Sequence, residues 1–102
     1  MLPRKIFFAG TYNRKGRDMP FIMIYDREQT FKSVTKLFKS RGLITCVEYG
    51  PYDNGHILVG NSTGDFFAFD SVSLAKLCNL KLSDCPITSI VIEWTQQVMI
   101  GV

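Results

Sequence analysis

Leu58-Val59-Gly60-Asn61-Ser62-Thr63-Gly64-Asp65-Phe66-Phe67-Ala68-Phe69-Asp70 consists of two short apolar runs separated by a cluster of turn-forming residues. Asn, Ser and Gly accept turn geometry, and the flanking runs are too short for helices, so the stretch reads as two strands joined by a hairpin turn. Neither run alternates apolar with polar positions. A strand apolar at nearly every position needs both faces of its sheet covered. Parallel α/β sheets meet that need too, but their crossovers take a dozen residues or more, usually as a helix, and no segment between these strands is long enough.

Working outward, Ile44 to Tyr49 reads as a preceding strand and Ala75 to Leu80 as a following one, with Gly50-Pro51-Tyr52-Asp53-Asn54-Gly55 as a further turn. These four strands form a unit, A to D, that recurs. Ile44-Thr45-Cys46-Val47 reappears as Ile87-Thr88-Ser89-Ile90 at an offset of 43, and Leu58-Val59-Gly60 as Met99-Ile100-Gly101 at an offset of 41. Upstream, Phe8-Ala9-Gly10 matches Leu58-Val59-Gly60 and Tyr25-Asp26 matches Phe69-Asp70, at offsets of 50 and 44. A period of about 43 built from four short strands is the pattern of a propeller blade, and the 3.6-residue patterning of a helical repeat is missing.

The resemblance to WD-repeat blades rests on Leu58–Asp70, which looks like strand B, the Gly-containing turn and strand C ending in Trp-Asp. Ser83-Asp84-Cys85-Pro86-Ile87-Thr88-Ser89-Ile90 likewise resembles the entry to strand A after the family's Gly-His pair. It covers about residues 6–102 and is clearest over 43–92. The sequence departs from the pattern where Phe69 and Tyr25 replace the Trp, Thr63 replaces the turn Asp, and Leu82-Ser83 sits near the expected Gly-His. These departures count against the side-chain hydrogen-bond network that stiffens typical blades and imply degenerate repeats held by packing of Phe66, Phe67 and Phe69. The expected fold is all-β, a partial β-propeller: strands B-C-D of one blade (about 6–38), one full four-stranded blade (about 43–80) and strands A-B of a third (about 87–102). Closed propellers have four to eight blades, so the expectation is a segment of a larger ring, or one completed by other chains.

At 102 residues with 46% apolar and 13% aromatic composition, the chain can build a core but has room for one small domain. Its longest apolar runs are far shorter than the roughly 18 residues that span a bilayer, and the apolar stretch after Met1-Leu2-Pro3-Arg4-Lys5 is too short for a signal-peptide core. A cytoplasmic or nuclear compartment is the expectation. Cys46, Cys78 and Cys85 make an odd, unpaired set, which reads as reduced thiols.

Chemistry-bearing constellations are sparse. His56 is the only imidazole and precedes strand B in a turn; the three cysteines lack the close spacing of a zinc knuckle; Asp53, Asp65, Asp70 and Asp84 sit at turns or strand ends, where carboxylates cap backbone amides. The glycines form no phosphate loop before a helix. The reading is a non-enzymatic chain without cofactor or metal.

Charge is more informative. Residues 1–41 hold ten Lys or Arg against three Asp or Glu, and residues 42–102 hold two against six. In the first unit, strands B, C and D fall at about Ile6–Gly10, Phe21–Asp26 and Phe31–Leu37, and the B–C turn, Thr11–Met19, makes that connection longer than its counterpart by six residues and carries Arg14, Lys15 and Arg17. Because successive strands are antiparallel, B–C turns and D–A connections emerge on one face, so these cations share a face with Lys39 and Arg41. With Tyr12 alongside, Tyr12, Arg14, Lys15, Arg17, Lys39 and Arg41 form the expected partner-binding set. A solvated charged surface is the plain alternative. The expected function is a protein-protein interaction scaffold within a larger propeller or multi-subunit complex, with RNA binding by the basic face as the alternative, through phosphate contacts and Tyr12 as a stacking platform.

Overall fold

The computed structural model of the chain describes residues 5–26, 32–50, 55–92 and 98–102. They form nine strands: β1 (Lys5–Arg14), β2 (Arg17–Asp26), β3 (Lys32–Leu37), β4 (Ile44–Gly50), β5 (His56–Asn61), β6 (Asp65–Asp70), β7 (Lys76–Lys81), β8 (Ser89–Ile92) and β9 (Val98–Gly101). No helix occurs among the described residues. All pairings are antiparallel, giving three sheets in the orders β1-β2-β3, β4-β5-β6-β7 and β8-β9. Phe31, expected to open the third strand, and residues 51–54 of the expected Gly50–Gly55 turn, Asp53 included, lie outside the described residues.

The continuous apolar character of β5 and β6 has its cause in the packing. Ile57, Val59, Phe67 and Phe69 point to one side of the central sheet and join Ile22 and Ile24 of the first sheet in one core. Leu58, Phe66 and Ala68 point to the other side and meet Ile87, Ile90 and Ile100. The central sheet is therefore covered on both faces. Phe67 and Phe69 are fully buried, each side chain of that size contributing about 2–3 kcal/mol through loss of apolar surface from water. Phe38, from the connection after β3, meets both rings edge-on at centroid distances of 5.1 and 4.9 Å. Phe7 and Tyr49 stack at 3.9 Å between the first and central sheets.

The register shows how the sheets correspond. Cys46↔Gly60, Val47↔Val59, Glu48↔Leu58 and Tyr49↔Ile57 in the central sheet are matched by Ser89↔Gly101, Ile90↔Ile100, Val91↔Met99 and Ile92↔Val98 in the third. These are the partners demanded by offsets of 43 and 41. In the first sheet, Phe7↔Ile24 and Ala9↔Ile22 face the central sheet as Leu58↔Ala68 and Gly60↔Phe66 face the third. Each sheet thus turns the corresponding face in the same direction.

On this register Ala9, not Gly10, takes the place of Gly60, so the upstream match through Phe8-Ala9-Gly10 is displaced by one residue. A slip of one residue exchanges the two faces of a strand: Phe8 points away from the central sheet, whereas Leu58 points toward the third. The Tyr25-Asp26 match with Phe69-Asp70 needs no such shift, because Ile24 and Ala68 both face forward.

Two connections bind neighbouring sheets. Thr45 sits where the β4–β5 register shifts, and its Oγ1 donates to the Ile87 carbonyl at 2.6 Å. Ile87 N donates to the Asn61 carbonyl at 3.0 Å and Thr88 N to that of Gly101 at 2.8 Å. Ile87, expected to lie in a strand with Thr88, therefore acts as a bridge to the central sheet, while Thr88 bonds to β9 of its own sheet and β8 begins at Ser89.

Candidate functional site

The segment Thr11–Met19, expected to be a long turn, is largely strand. β1 and β2 stay in register out to Arg14↔Arg17, leaving Lys15-Gly16 as a two-residue turn. Both have positive φ, 53° and 78°, the type I′ combination whose twist suits a tight hairpin. Asn13 Oδ1 accepts a hydrogen bond from Gly16 N, and Asn13 Nδ2 donates to Asp18 Oδ1, each at 3.2 Å. The extra residues thus become a projecting ribbon because cross-strand pairing satisfies backbone groups that a loop would leave to water. At its base, Thr11 Oγ1 accepts from Ile44 N at 3.0 Å, tying it to the central sheet. Arg14, Lys15 and Arg17 are exposed at the tip.

The expected residues do not form one uniform patch. Arg17 and Lys39 line a depression of about 390 Å³ with Met19, Pro20 and Phe38. Lys39 and Arg41 line a second, of about 430 Å³, together with Asp65, Phe67 and Lys81. Ser40 and Lys39 belong to both, so the two are adjacent. Arg14, Lys15 and Tyr12 line neither. Tyr12 lies on the outward face of the first sheet and packs at a tilt on Phe21 with ring centroids 5.8 Å apart. Lys81 was not among the expected residues, although the rule that nominated Lys39 reaches it: it stands where the β7–β8 connection leaves the same end of the sheet.

Behind the second depression lies a polar network on the β5–β6 turn. Asn61 has no exposed surface. Its Oδ1 accepts from Asp65 N at 2.8 Å and Thr63 N at 3.1 Å, and its Nδ2 donates to Ser40 Oγ at 2.8 Å and Asp65 Oδ2 at 3.3 Å. Thr63 Oγ1 donates to Asp65 Oδ2 at 2.9 Å. The side-chain hydrogen bonding that the departures counted against is thus supplied by other residues, so packing of Phe66, Phe67 and Phe69 does not hold this unit alone. Burial opposes the charged form of Asp65, but the bonds from Thr63 and Asn61, with Arg41 and Lys81 nearby, outweigh it and hold the carboxyl below its usual range. Arg41 Nη2 lies 3.9 Å from Asp65 Oδ1. Lys81 Nζ lies 3.5 Å from Asp84 Oδ1 and donates to the Thr63 carbonyl at 3.2 Å.

Elsewhere the titratable groups are scattered. Among the described residues, no group of three or more His, Cys, Asp and Glu is placed to hold a metal ion. His56 is exposed at the start of β5, opposite Asp70 in register. Asp70 accepts from the backbone N–H of Val72 at 2.7 Å and of Ser73 at 3.2 Å, bonds that lower its carboxyl below the ordinary value. Burial pushes the Cys46 thiol up, which favours its uncharged form. Cys46 and Cys78 pack, half-buried, against the core between the central and third sheets, and Cys85 is exposed. The arrangement offers cations beside apolar surface, a chemistry of anion binding. Comparison with family models, curated proteins and solved structures finds no match.

Proposed function

We propose that the chain is a segment of a WD-repeat-type β-propeller that serves as a non-enzymatic scaffold for other proteins in the cytoplasm or nucleus. The observation that carries this reading is the like-directed stacking of the three sheets. Corresponding pairs, Ala9↔Ile22 and Gly60↔Phe66, each face the next sheet in the chain. Such stacking repeats one operation and leaves the terminal faces to further sheets. The face of the first sheet that corresponds to Val59 and Phe67 carries Phe8 and Met23, and Phe8 is 47% exposed. The third sheet leaves Val91 and Met99 outward, 47% and 53% exposed. Surfaces of this kind call for a partner.

Protein partners fit better than RNA because Tyr12, the proposed stacking platform, lies outside the cationic depressions. The deciding experiment reverses the charge of Arg14, Lys15 and Arg17 and compares partners retained by the two chains with and without nuclease. Protein partners that survive nuclease support the scaffold. Loss of all partners on nuclease treatment makes RNA the link and removes this reading.

A further inference from the structure

Four cations and an apolar wall converge on the two adjacent depressions, and the charge there is only partly spent. Asp65 is engaged by Thr63, Asn61 and Arg41, and Asp18 accepts from Asn13. Among the described residues, the ion pairs in this region are Arg41–Asp65 and Lys81–Asp84, and the latter joins two side chains 46% and 95% exposed. Neither uses Arg17 or Lys39. The first depression is lined by Arg17, Asp18, Met19, Pro20 and Phe38, and the second by Arg41, Asp65 and Lys81, with Lys39 shared, so four cations stand against two carboxylates. Each has the size of a small-ligand site, a few hundred cubic ångströms.

We propose that the two adjacent depressions act together as a channel that docks an acidic peptide segment of a partner protein in extended form, with a bulky apolar side chain in the Met19–Phe38 depression and carboxylates beside Lys39, Arg41 and Lys81. The proposal rests on the scaffold reading and specifies the partner's chemistry. Apolar surface next to cations favours such a peptide over a single-stranded nucleic acid, which needs flat aromatic faces for its bases. The aromatic rings at the channel are Phe38, set edge-on between Phe67 and Phe69, and Phe67 itself, 1% exposed. Neither is presented as a platform. The side chains that carry the charge are exposed, so binding depends on salt and the cations act on encounter as well as affinity.

The test is fluorescence anisotropy with the full chain and a labelled peptide bearing a leucine followed by a run of glutamates. A matched glutamine peptide and a labelled oligouridylate serve as comparisons. Lys39→Glu with Lys81→Glu is expected to weaken the glutamate peptide by about tenfold or more, and Lys39→Gln with Lys81→Gln by less, both variants retaining the wild-type circular dichroism. Lys76→Glu, which changes net charge at an exposed position lining neither depression, is expected to leave the affinity within about twofold. The proposal is overturned if glutamate and glutamine peptides bind alike, if Lys76→Glu weakens binding as much as the channel pair, or if oligouridylate displaces the peptide through the same lysines. Nuclease-resistant partners with no peptide binding would remove the channel and leave the scaffold standing; peptide binding with nuclease-sensitive partners would do the reverse.

Discussion

Asn61 Nδ2 donates to Ser40 Oγ at 2.8 Å, a half-buried bond between the β5–β6 turn and the β3–β4 connection. With Asn61 Oδ1 accepting two backbone N–H groups, this one side chain fixes both segments that wall the cationic depression. Asn61→Leu strips the buried N–H of Asp65 of its partner and removes one of the donors to its carboxylate. It is expected to cost about 1–3 kcal/mol in urea denaturation, the range for leaving a buried polar group unsatisfied.

Gly64 and Gly16 both have positive φ but sit in different surroundings. A Cβ on Gly64 would collide with the Ser83 carbonyl oxygen, while one on Gly16 has nothing within 4 Å. Gly16→Ala is therefore expected to cost about 1 kcal/mol, the conformational term alone. Gly64→Ala must also displace the β7–β8 connection, so its midpoint in denaturant falls further than that of Gly16→Ala.

Acid stability carries the signature of Asp65. Its folded carboxyl lies below the ordinary 3.8, so its contribution is complete above the unfolded value and is lost as pH falls through the lower folded one. Asp70 acts in the same direction. Melting temperatures measured from about pH 5 down to about pH 2 are expected to drop less steeply in Asp65→Asn than in the wild type.

The open terminal faces predict self-association. Sedimentation velocity is expected to show concentration-dependent assembly of the chain through exposed apolar surface. Phe8→Glu and Met99→Glu, one on each terminal face, are expected to shift it toward monomer, whereas Lys76→Glu, at an exposed position on the outer strand of the central sheet, has little effect.

Much of the fold is legible in the sequence because β5 and β6 advertise their burial. An all-apolar strand such as Phe66-Phe67-Ala68-Phe69 demands cover on both sides, and the offsets of 43 and 41 between residues 44–60 and 87–101 fix which pairs correspond. The upstream offset fails by one residue because Gly10 mimics Gly60 in type while Ala9 fills its place against Ile22. The ribbon at Lys15-Gly16 was hidden by its composition, since Asn, Arg, Lys and Gly signal a loop unless cross-strand register is known. The depressions were only half visible: alternation of connections nominated Lys39 and Arg41, but the contribution of Lys81 and the wall at Phe38 depend on how β3 ends and its connection folds back. Asn61 has the sequence character of any turn residue, and only its burial distinguishes it.

The account stands on the two-sided cover of the central sheet, and side-chain nuclear Overhauser effects test it most directly. Methyl groups of Ile22 and Ile24 are predicted to contact the rings of Phe67 and Phe69, and those of Ile87 and Ile90 to contact Phe66 and Ala68, with no exchange between the two sets. Contacts from Ile90 to Phe67 or Phe69 would place the first and third sheets on one side and contradict the stacking on which the propeller reading depends.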